Sequence, residues 1–291
     1  MAESAAVQYF LPFTIGMINL SLGLGLVKDD FRRVFQEPAA VSIGVGAQLV
    51  LLPLLGFAWA FATGLTPELA VGMVLIAACP GGAHSNLFSN LARGDTALSV
   101  SLTALSGVVT VVSIPLWLWA ATTAFGAGDA VRLPVLQTMG QIFAVVIVPL
   151  AAGMLLRAQA PKIAPRLEGV VKAVAVLLLL VIVVGAVARQ SEQVAAFARD
   201  VGGAVTGLHL CGMLAGFGLA LALKRPRQQQ VTIALEVGVQ NSALAVGIAM
   251  TLLDNTGIAV PAIVYSLLVY ATSTAFVLWS RYVYLGRPAP I

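Results

Sequence analysis

Charged side chains are scarce in this chain, and their scarcity excludes the soluble classes of protein. Only 10% of the 291 residues are Asp, Glu, Lys or Arg, whereas 59% are hydrophobic. A soluble domain carries about 25% charged residues. The net charge of +4 comes from Lys and Arg dispersed along the chain, so no basic surface for nucleic acid is expected. The composition predicts a membrane protein with several spans of about 20 residues each.

Cysteine and histidine are also rare, with two of each. Cys79 and Cys211 lie far apart in apolar segments, so a disulfide is not expected. His84 and His209 are likewise distant from each other, and neither belongs to a group with the spacing of zinc ligands. We therefore expect plain packing for Cys79 and a hydrogen-bonded core position for His209. The alternative for Cys79 is a thiolate that binds a soft metalloid.

The apolar residues divide into nine predicted membrane spans with short connections and no visible linker. This pattern predicts an all-α polytopic membrane protein with a single membrane domain over residues 1–291. The predicted spans are 8–27, 38–62, 67–92, 96–119, 133–156, 166–188, 201–223, 229–253 and 257–283.

The loop charges predict the orientation of these spans. With the N-terminus outside, the outside loops hold only Arg132, Arg189 and Arg199 of the 16 Lys and Arg. The positive-inside rule then places the C-terminus inside. Residues Met1–Val7 contain no Lys or Arg, so no cleavable signal peptide is expected. The Ala-, Gly- and Val-rich composition favours a bacterial inner membrane.

Two predicted spans carry polar residues and helix breakers at their centres. The third contains Pro80, Gly81 and Gly82, and the eighth contains Glu236, the one acid of the 12 that lies well inside a span. A buried carboxylate costs a few kcal/mol unless it is paired or binds a cation. Because no Lys or Arg is predicted near the middle of a span, a cation, a proton or hydrogen bonds from Gln and Asn remain as its partners.

The two interrupted segments resemble each other. Ile76–Leu87 reads IAACPGGAHSNL and Ile233–Leu244 reads IALEVGVQNSAL, with Ile, Ala, Gly, Ser and Leu at the same spacing. The two spans run in opposite directions in the predicted topology, as in inverted repeats whose broken helices meet at a transport site. The first repeat is predicted over about 8–122 and the second over about 133–283.

Neutral oxygen donors accompany Glu236 near both interruptions. Ser99 and Thr103 are four residues apart and share a helical face, as do Glu236 and Gln240. One carboxylate with several neutral oxygens suits Na⁺ better than Mg²⁺ or Ca²⁺. Each Ser and Thr also has the ordinary alternative of bonding to its own helix. The full set of neutral donors is Gln48, Ser85, Asn86, Ser99, Thr103, Gln240, Asn241 and Ser242.

Three stretches resemble the bile acid:sodium symporter family. They are LGLGLVKDDFRRVFQEP with AQLVLLPLLGF, then CPGGAHSNLFSNLARGDTALSVSLTALS, then IALEVGVQNSALAVGIA. The resemblance covers nearly the whole chain. It implies a core domain with two crossed, broken helices, a separate panel domain, and symport of an organic anion with two Na⁺ ions.

The family's ligand positions carry over to this sequence residue by residue. By resemblance, the first sodium site comprises Ser85, Asn86, Ser99, Thr103 and Glu236. The second comprises Gln48, Glu236, Val237, Val239 and Gln240, with the two valines contributing backbone carbonyls. The substrate-binding residues are predicted to be Ala83, His84 and Asn241.

This chain departs from the family around the substrate position. Ala83 replaces a frequent Thr, and His84 is added. The last span carries Tyr265, Ser266 and Tyr270 where many members have a His-Asn pair. The sodium positions are intact, so the departures concern the substrate.

The predicted function is therefore sodium-coupled import of an organic anion, such as a bile-acid-like, keto-acid or pantoate-like carboxylate, by alternating access. The expected partners are Na⁺, the anion and the lipid bilayer, with no organic cofactor. A proton-coupled carrier that uses Glu236, or a metalloid or cation carrier, is the alternative. An intramembrane enzyme is not expected, because His84 and Ser85 are adjacent and their side chains diverge on a helix.

Overall fold

The computed structural model describes residues 2–127, 135–189 and 191–286, and within these ranges the chain is helical, without a strand. The predicted all-α architecture is therefore confirmed. The helices are α1 (Ala2–Gly25), α2 (Lys28–Gln36), α3 (Pro38–Gly46), α4 (Leu52–Thr63), α5 (Pro67–Ala78), α6 (Ala83–Leu91), α7 (Thr96–Ala124), α8 (Val135–Ile142), α9 (Val148–Gln159), α10 (Ala164–Arg189), α11 (Ser191–Ala222), α12 (Arg227–Gly238), α13 (Ser242–Gly247) and α14 (Thr256–Trp279).

Within the described residues, five helical stretches are long and apolar enough to cross a bilayer, which confirms a multi-pass protein. The nine-span count, the inverted repeats, the core and panel division and the orientation of the termini stay predictions. Arg132, one of the charges used for that orientation, lies outside the described residues. Five helical stretches meet the length and hydropathy of a span, namely Pro38–Thr63, Thr96–Ala124, Thr138–Gln159, Arg199–Ala222 and Thr256–Tyr284.

Single π-helical turns connect or extend several helices. One of them, Ala47–Leu51, joins α3 to α4 and contains Gln48. A π turn inserts an extra residue and rotates the side chains that follow it, which is why such turns are frequent at functional sites. The others are Phe143–Ile147, Ile248–Leu252 and Ser280–Tyr284.

Both predicted helix breaks are present, and they touch. The α5 helix ends at Ala78 and α6 starts at Ala83, while α12 ends at Gly238 and α13 starts at Ser242. Gly81 and Gln240 form an antiparallel bridge, and Asn241 N–H donates to the Pro80 carbonyl at 2.9 Å. Each break thus provides hydrogen-bond partners for the other in an interior that offers no water.

The helices around this crossing are deeply buried. Every residue of α5 from Leu69 onward and every residue of α12 from Gln229 onward is buried. The α7, α11 and α14 helices pack against them, whereas α1, α9 and α10 pack mainly on one another. The crossing is therefore held at the centre of the bundle.

A buried histidine network supports the break at the end of α12. The Gly238 carbonyl accepts from His209 Nδ1 of α11 at 2.7 Å and from the Tyr265 hydroxyl of α14. Because a carbonyl only accepts, Nδ1 carries the ring proton toward it. His209 Nε2 lies 2.6 Å from Thr272 Oγ1. His209 is thus a hydrogen-bonded core residue, as the sequence indicated, and it ties three helices together.

Replacing both donors to Gly238 should destabilise the fold by more than the sum of the single replacements. His209→Leu or Tyr265→Phe alone leaves the carbonyl with one donor, and each should lower the unfolding free energy by about 1 kcal/mol. The double variant strands a buried carbonyl, which costs about 1–3 kcal/mol more. Thermal unfolding in detergent measures this. Additive effects would contradict a shared acceptor.

Candidate functional site: oxygen ligands at the helix crossing

Glu236 lies in the last turn of α12, just before the break, and its side chain has 0% exposure. Its carboxylate accepts hydrogen bonds from the hydroxyls of Ser99 and, at 2.9 Å, Thr103, which are one turn apart on α7. The Ser85 hydroxyl lies beside the same carboxylate. Within the described parts of the chain, no Lys or Arg forms an ion pair with Glu236.

Asn86 completes this first cluster. Its Oδ1 lies 2.8 Å from Ser99 Oγ and 3.2 Å from Thr103 Oγ1. The structure therefore brings together all five residues of the predicted first sodium site, from α6, α7 and α12. They are far apart in sequence, and only the i,i+4 pair of Ser99 and Thr103 is visible as local periodicity.

Gln48 and Gln240 form a second polar cluster against the backbone of α12. Gln48 Nε2 lies 3.3 Å from the Glu236 carbonyl and 3.5 Å from Gln240 Oε1. Gln240 Nε2 donates to the Val237 carbonyl at 2.8 Å. Gln48 Oε1 is buried and, within the described residues, has no hydrogen-bond partner. Four members of the predicted second site are thus adjacent.

The fifth member, Val239, lines a cavity beside the crossing, and Gln240 lines it too. This cavity has a volume of about 310 Å³ and is lined by both breaks, α1, α10 and α14. His84 and Asn241, two of the predicted substrate-binding residues, line it as well. The Asn241 side chain also caps α13 by accepting from Leu244 N–H at 3.1 Å. Ala83 starts α6, but its side chain lies outside the described residues.

Lys172 is the feature of this cavity that the sequence did not reveal. The sequence places it with the charges of an inside loop, but in the structure it lies two turns into α10 and lines the cavity. Its position seven residues into the predicted span 166–188, before a long uncharged run, is the signal that could have identified it.

Cys79 does not lie where a soft metal could be bound. Its side chain is completely buried at the end of α5 and forms no disulfide. In the part of the chain that the structure describes, no group of three or more His, Cys, Asp or Glu residues could hold a metal ion. The geometry thus favours packing for Cys79 over the metalloid ligand.

Comparison with known proteins gives consistent matches. The model of the Sodium Bile acid symporter family matches residues 12–197. The chain is 32% identical over 254 residues to the probable sodium/metabolite cotransporter BASS2, chloroplastic, of Oryza sativa subsp. japonica, an alignment that covers 87% of this chain and 59% of the rice protein. It is 32% identical over 262 residues to the uncharacterized sodium-dependent transporter YocS of Bacillus subtilis (strain 168), covering 89% of this chain and 79% of that protein.

A vertebrate relative extends the similarity. The ileal sodium/bile acid cotransporter of Oryctolagus cuniculus is 29% identical over 242 residues, which cover 83% of this chain and 69% of the rabbit protein. The chain spans less than two thirds of the rice relative's length. The family match covers more than half of this chain, so the resemblance seen in its motifs is confirmed: the chain belongs to the sodium bile acid symporter family.

Proposed function

We propose that this protein is a sodium-coupled secondary transporter that carries an organic anion across the membrane by alternating access. The observation that carries the proposal is the Glu236 carboxylate, which is fully buried and surrounded by oxygen atoms, with no cationic partner among the described residues. An acid in this setting is a functional feature by default, and a bound cation is the partner that these oxygens suit.

The first cluster has fewer hydroxyl hydrogens than its close oxygen–oxygen contacts need. Ser99 and Thr103 each have one hydroxyl hydrogen, yet each lies within hydrogen-bond distance of both Asn86 Oδ1 and the Glu236 carboxylate. The Ser85 hydroxyl donates its hydrogen to the Gly82 carbonyl at 2.7 Å. A cation would replace the missing hydrogens. The competing arrangement is a reversed Asn86 amide that donates to both hydroxyls, and it needs no ion.

The second cluster supports a second ion. Gln48 Oε1 is a buried acceptor for which the described residues supply no donor, and such an atom costs about 1–3 kcal/mol unless something binds it. The carbonyls of Glu236 and Val237 lie around the amides of Gln48 and Gln240, so a hard monovalent cation would meet neutral oxygens here. Val239 belongs to this proposed set through its backbone carbonyl.

Both proposed ion sites depend on the same crossing of broken helices. Sodium at Glu236 would neutralise the carboxylate and hold the ends of α5, α6 and α12 together. The adjoining cavity would then present His84, Asn241 and the start of α6 to an anionic group. Two Na⁺ with a monoanion move one net charge, which gains about 2.3 kcal/mol per 100 mV.

In this proposal the protein lies in a bacterial inner membrane with its N-terminus outside and its C-terminus inside. It carries two Na⁺ with each anion and uses no organic cofactor. The relatives' printed names support sodium coupling and extend to metabolites and bile acid as substrates. For this chain we propose a carboxylate.

Sodium should stabilise the purified protein through Glu236. At a concentration one hundred times the Kd, one bound ion adds about 2.7 kcal/mol, so the melting temperature should rise by roughly 5 °C. The rise should disappear in Glu236→Ala and in Glu236→Gln, which keeps the shape of the side chain but removes its charge. Thermal unfolding at equal ionic strength in NaCl and KCl measures it.

Potassium is the control in that experiment, because it has the same charge and a larger radius. Equal stabilisation by both salts would indicate a general ionic effect. The absence of a sodium effect on the wild type, together with a pH-dependent stability that Glu236→Gln removes, would replace the proposal by proton coupling.

Alanine at Gly81 should weaken sodium binding, whereas alanine at Gly82 should not. A Cβ at Gly81 would lie 2.5 Å from Glu236 Oε2, 3.2 Å from Ser85 Oγ and 3.3 Å from Gln48 Nε2. A Cβ at Gly82 would have no atom closer than 3.7 Å. Neither glycine has a positive φ, so alanine suits both backbones. Overpacking costs about 1–3 kcal/mol, so the sodium Kd of Gly81→Ala should weaken about tenfold or more.

The matched pair makes this result specific, because both changes add one methyl group to neighbouring residues of the same break. Isothermal titration with NaCl should give Gly82→Ala a Kd within about twofold of the wild type. Comparable losses in both variants would mean that the break itself is perturbed. Normal binding by Gly81→Ala would remove Glu236 and Gln48 from the ion site.

A further inference from the structure

A lysine side chain lines the cavity beside the crossing. Among the described residues, the wall includes Lys172 of α10 and no Asp or Glu. Lys172 and His84 line the same cavity. The cavity is therefore a positively charged compartment next to a break whose other face is negatively charged.

Lys172 is half-buried, and no described acidic side chain neutralises it. Within the described residues it forms no ion pair and no hydrogen bond. Glu168, one turn earlier on α10, is the nearest acid along the helix, but its carboxylate lies against Gly25 of α1 and does not line the cavity. A lysine in an apolar surrounding requires an anionic partner or an outlet to water.

The α10 helix directs Lys172 toward the cavity. Val170, Val174, Leu177 and Val181 are exposed on the outer surface of the helix, where lipid is expected, whereas Ala175 is buried and Val176 lines the cavity. Lys172 lies on the same inner face, one turn before Val176. Its charge thus faces the site and not the lipid.

We propose that Lys172 binds the carboxylate of the transported anion, and that the site takes a monocarboxylate with an apolar body. The inference rests on the proposed function for the identity of the cavity as the substrate site. A single fixed cation balances a single carboxylate, and a second negative charge would face uncharged walls. The remaining wall supplies apolar contacts from Val176, Ile263, Leu267 and Val269.

The volume of the cavity agrees with a small ligand. About 310 Å³ lies at the lower end of the range for small-molecule sites. His84 and Tyr270 pack edge to face at 5.5 Å and form a polar border between the apolar wall and the break. A ligand of this kind would place its carboxylate between Lys172 of α10 and the polar groups of the breaks, and its apolar body against α14.

This arrangement gives Lys172 a specific part in coupling. The α10 helix packs on α1 and makes few contacts with the helices of the crossing. The bound anion would therefore link α10 to the breaks that also hold the proposed ions. Lys172 would set both the sign of the substrate's charge and the connection between the two groups of helices.

The test measures carboxylate binding by the purified full-length protein and by three variants. The probes are straight-chain carboxylates from acetate to octanoate, their neutral primary amides, and the dicarboxylate glutarate, each titrated in NaCl and in KCl. Lys172→Met removes the charge and Lys172→Arg keeps it. The matched control is Lys162→Met, which removes a lysine that is exposed in the turn before α10.

The wild type should bind at least one monocarboxylate more tightly than its amide and more tightly than glutarate. Lys172→Met should weaken that binding about ten- to hundredfold, the loss expected for one charge-assisted hydrogen bond. Lys172→Arg and Lys162→Met should stay within about tenfold of the wild type. The sodium-induced rise in melting temperature should persist in all variants and show that each is folded.

Several results would overturn the proposal. They are equal carboxylate binding by the wild type and Lys172→Met, binding of the amides as tight as that of the acids, tighter binding of glutarate, or no binding of any carboxylate by the wild type. A different result would separate the two proposals. If sodium does not stabilise the wild type but carboxylate binding still depends on Lys172, sodium coupling is refuted and this inference stands.

Discussion

The burial of one carboxylate at the end of α12 is the constraint on which the rest of the site depends. Glu236 has no exposure and no cationic partner among the described residues, so its charge has to be balanced by hydroxyls, amides and, in our proposal, an ion. The hydroxyls of Ser99 and Thr103 on α7 face it because they are one turn apart. The neighbouring position 81 is a glycine, because a side chain there would occupy the space of the carboxylate.

The two helix breaks supply hydrogen-bond partners for each other's backbone groups. Proline and glycine end α5, and the extended residues that follow expose carbonyl and amide groups in an apolar interior. The second break at Val239 has the same need, and the bond from Asn241 N–H to the Pro80 carbonyl serves both. His209 and Tyr265 then hold the Gly238 carbonyl. The unwound segments are stable because they pair with each other and not with lipid.

Sequence reasoning found the parts of this site that depend on composition and local spacing. A lone acid in an apolar run identified Glu236, and Pro80 with its glycines identified the first break. Periodicity could not predict the second cluster, because the π turn at Gln48 shifts the register of α3 and α4. Lys172 was missed for a different reason: it was counted with the loop charges although the predicted span 166–188 includes it, and α10 begins at Ala164, two residues before that span.

The extended conformation of the first break offers a physical route for coupling ions to substrate. Successive residues of an extended strand point to opposite faces. Gly81 accordingly faces Glu236, Ser85 and Gln48, whereas Gly82 faces Asn241 and the cavity. In the proposed mechanism the ion at Glu236 and the anion act on opposite faces of this short extended segment. Val239 and Gln240, which belong to the proposed second ion site, also line the cavity. Any shift that closes the ion face therefore moves the wall of the cavity, so occupancy of one site changes the affinity of the other.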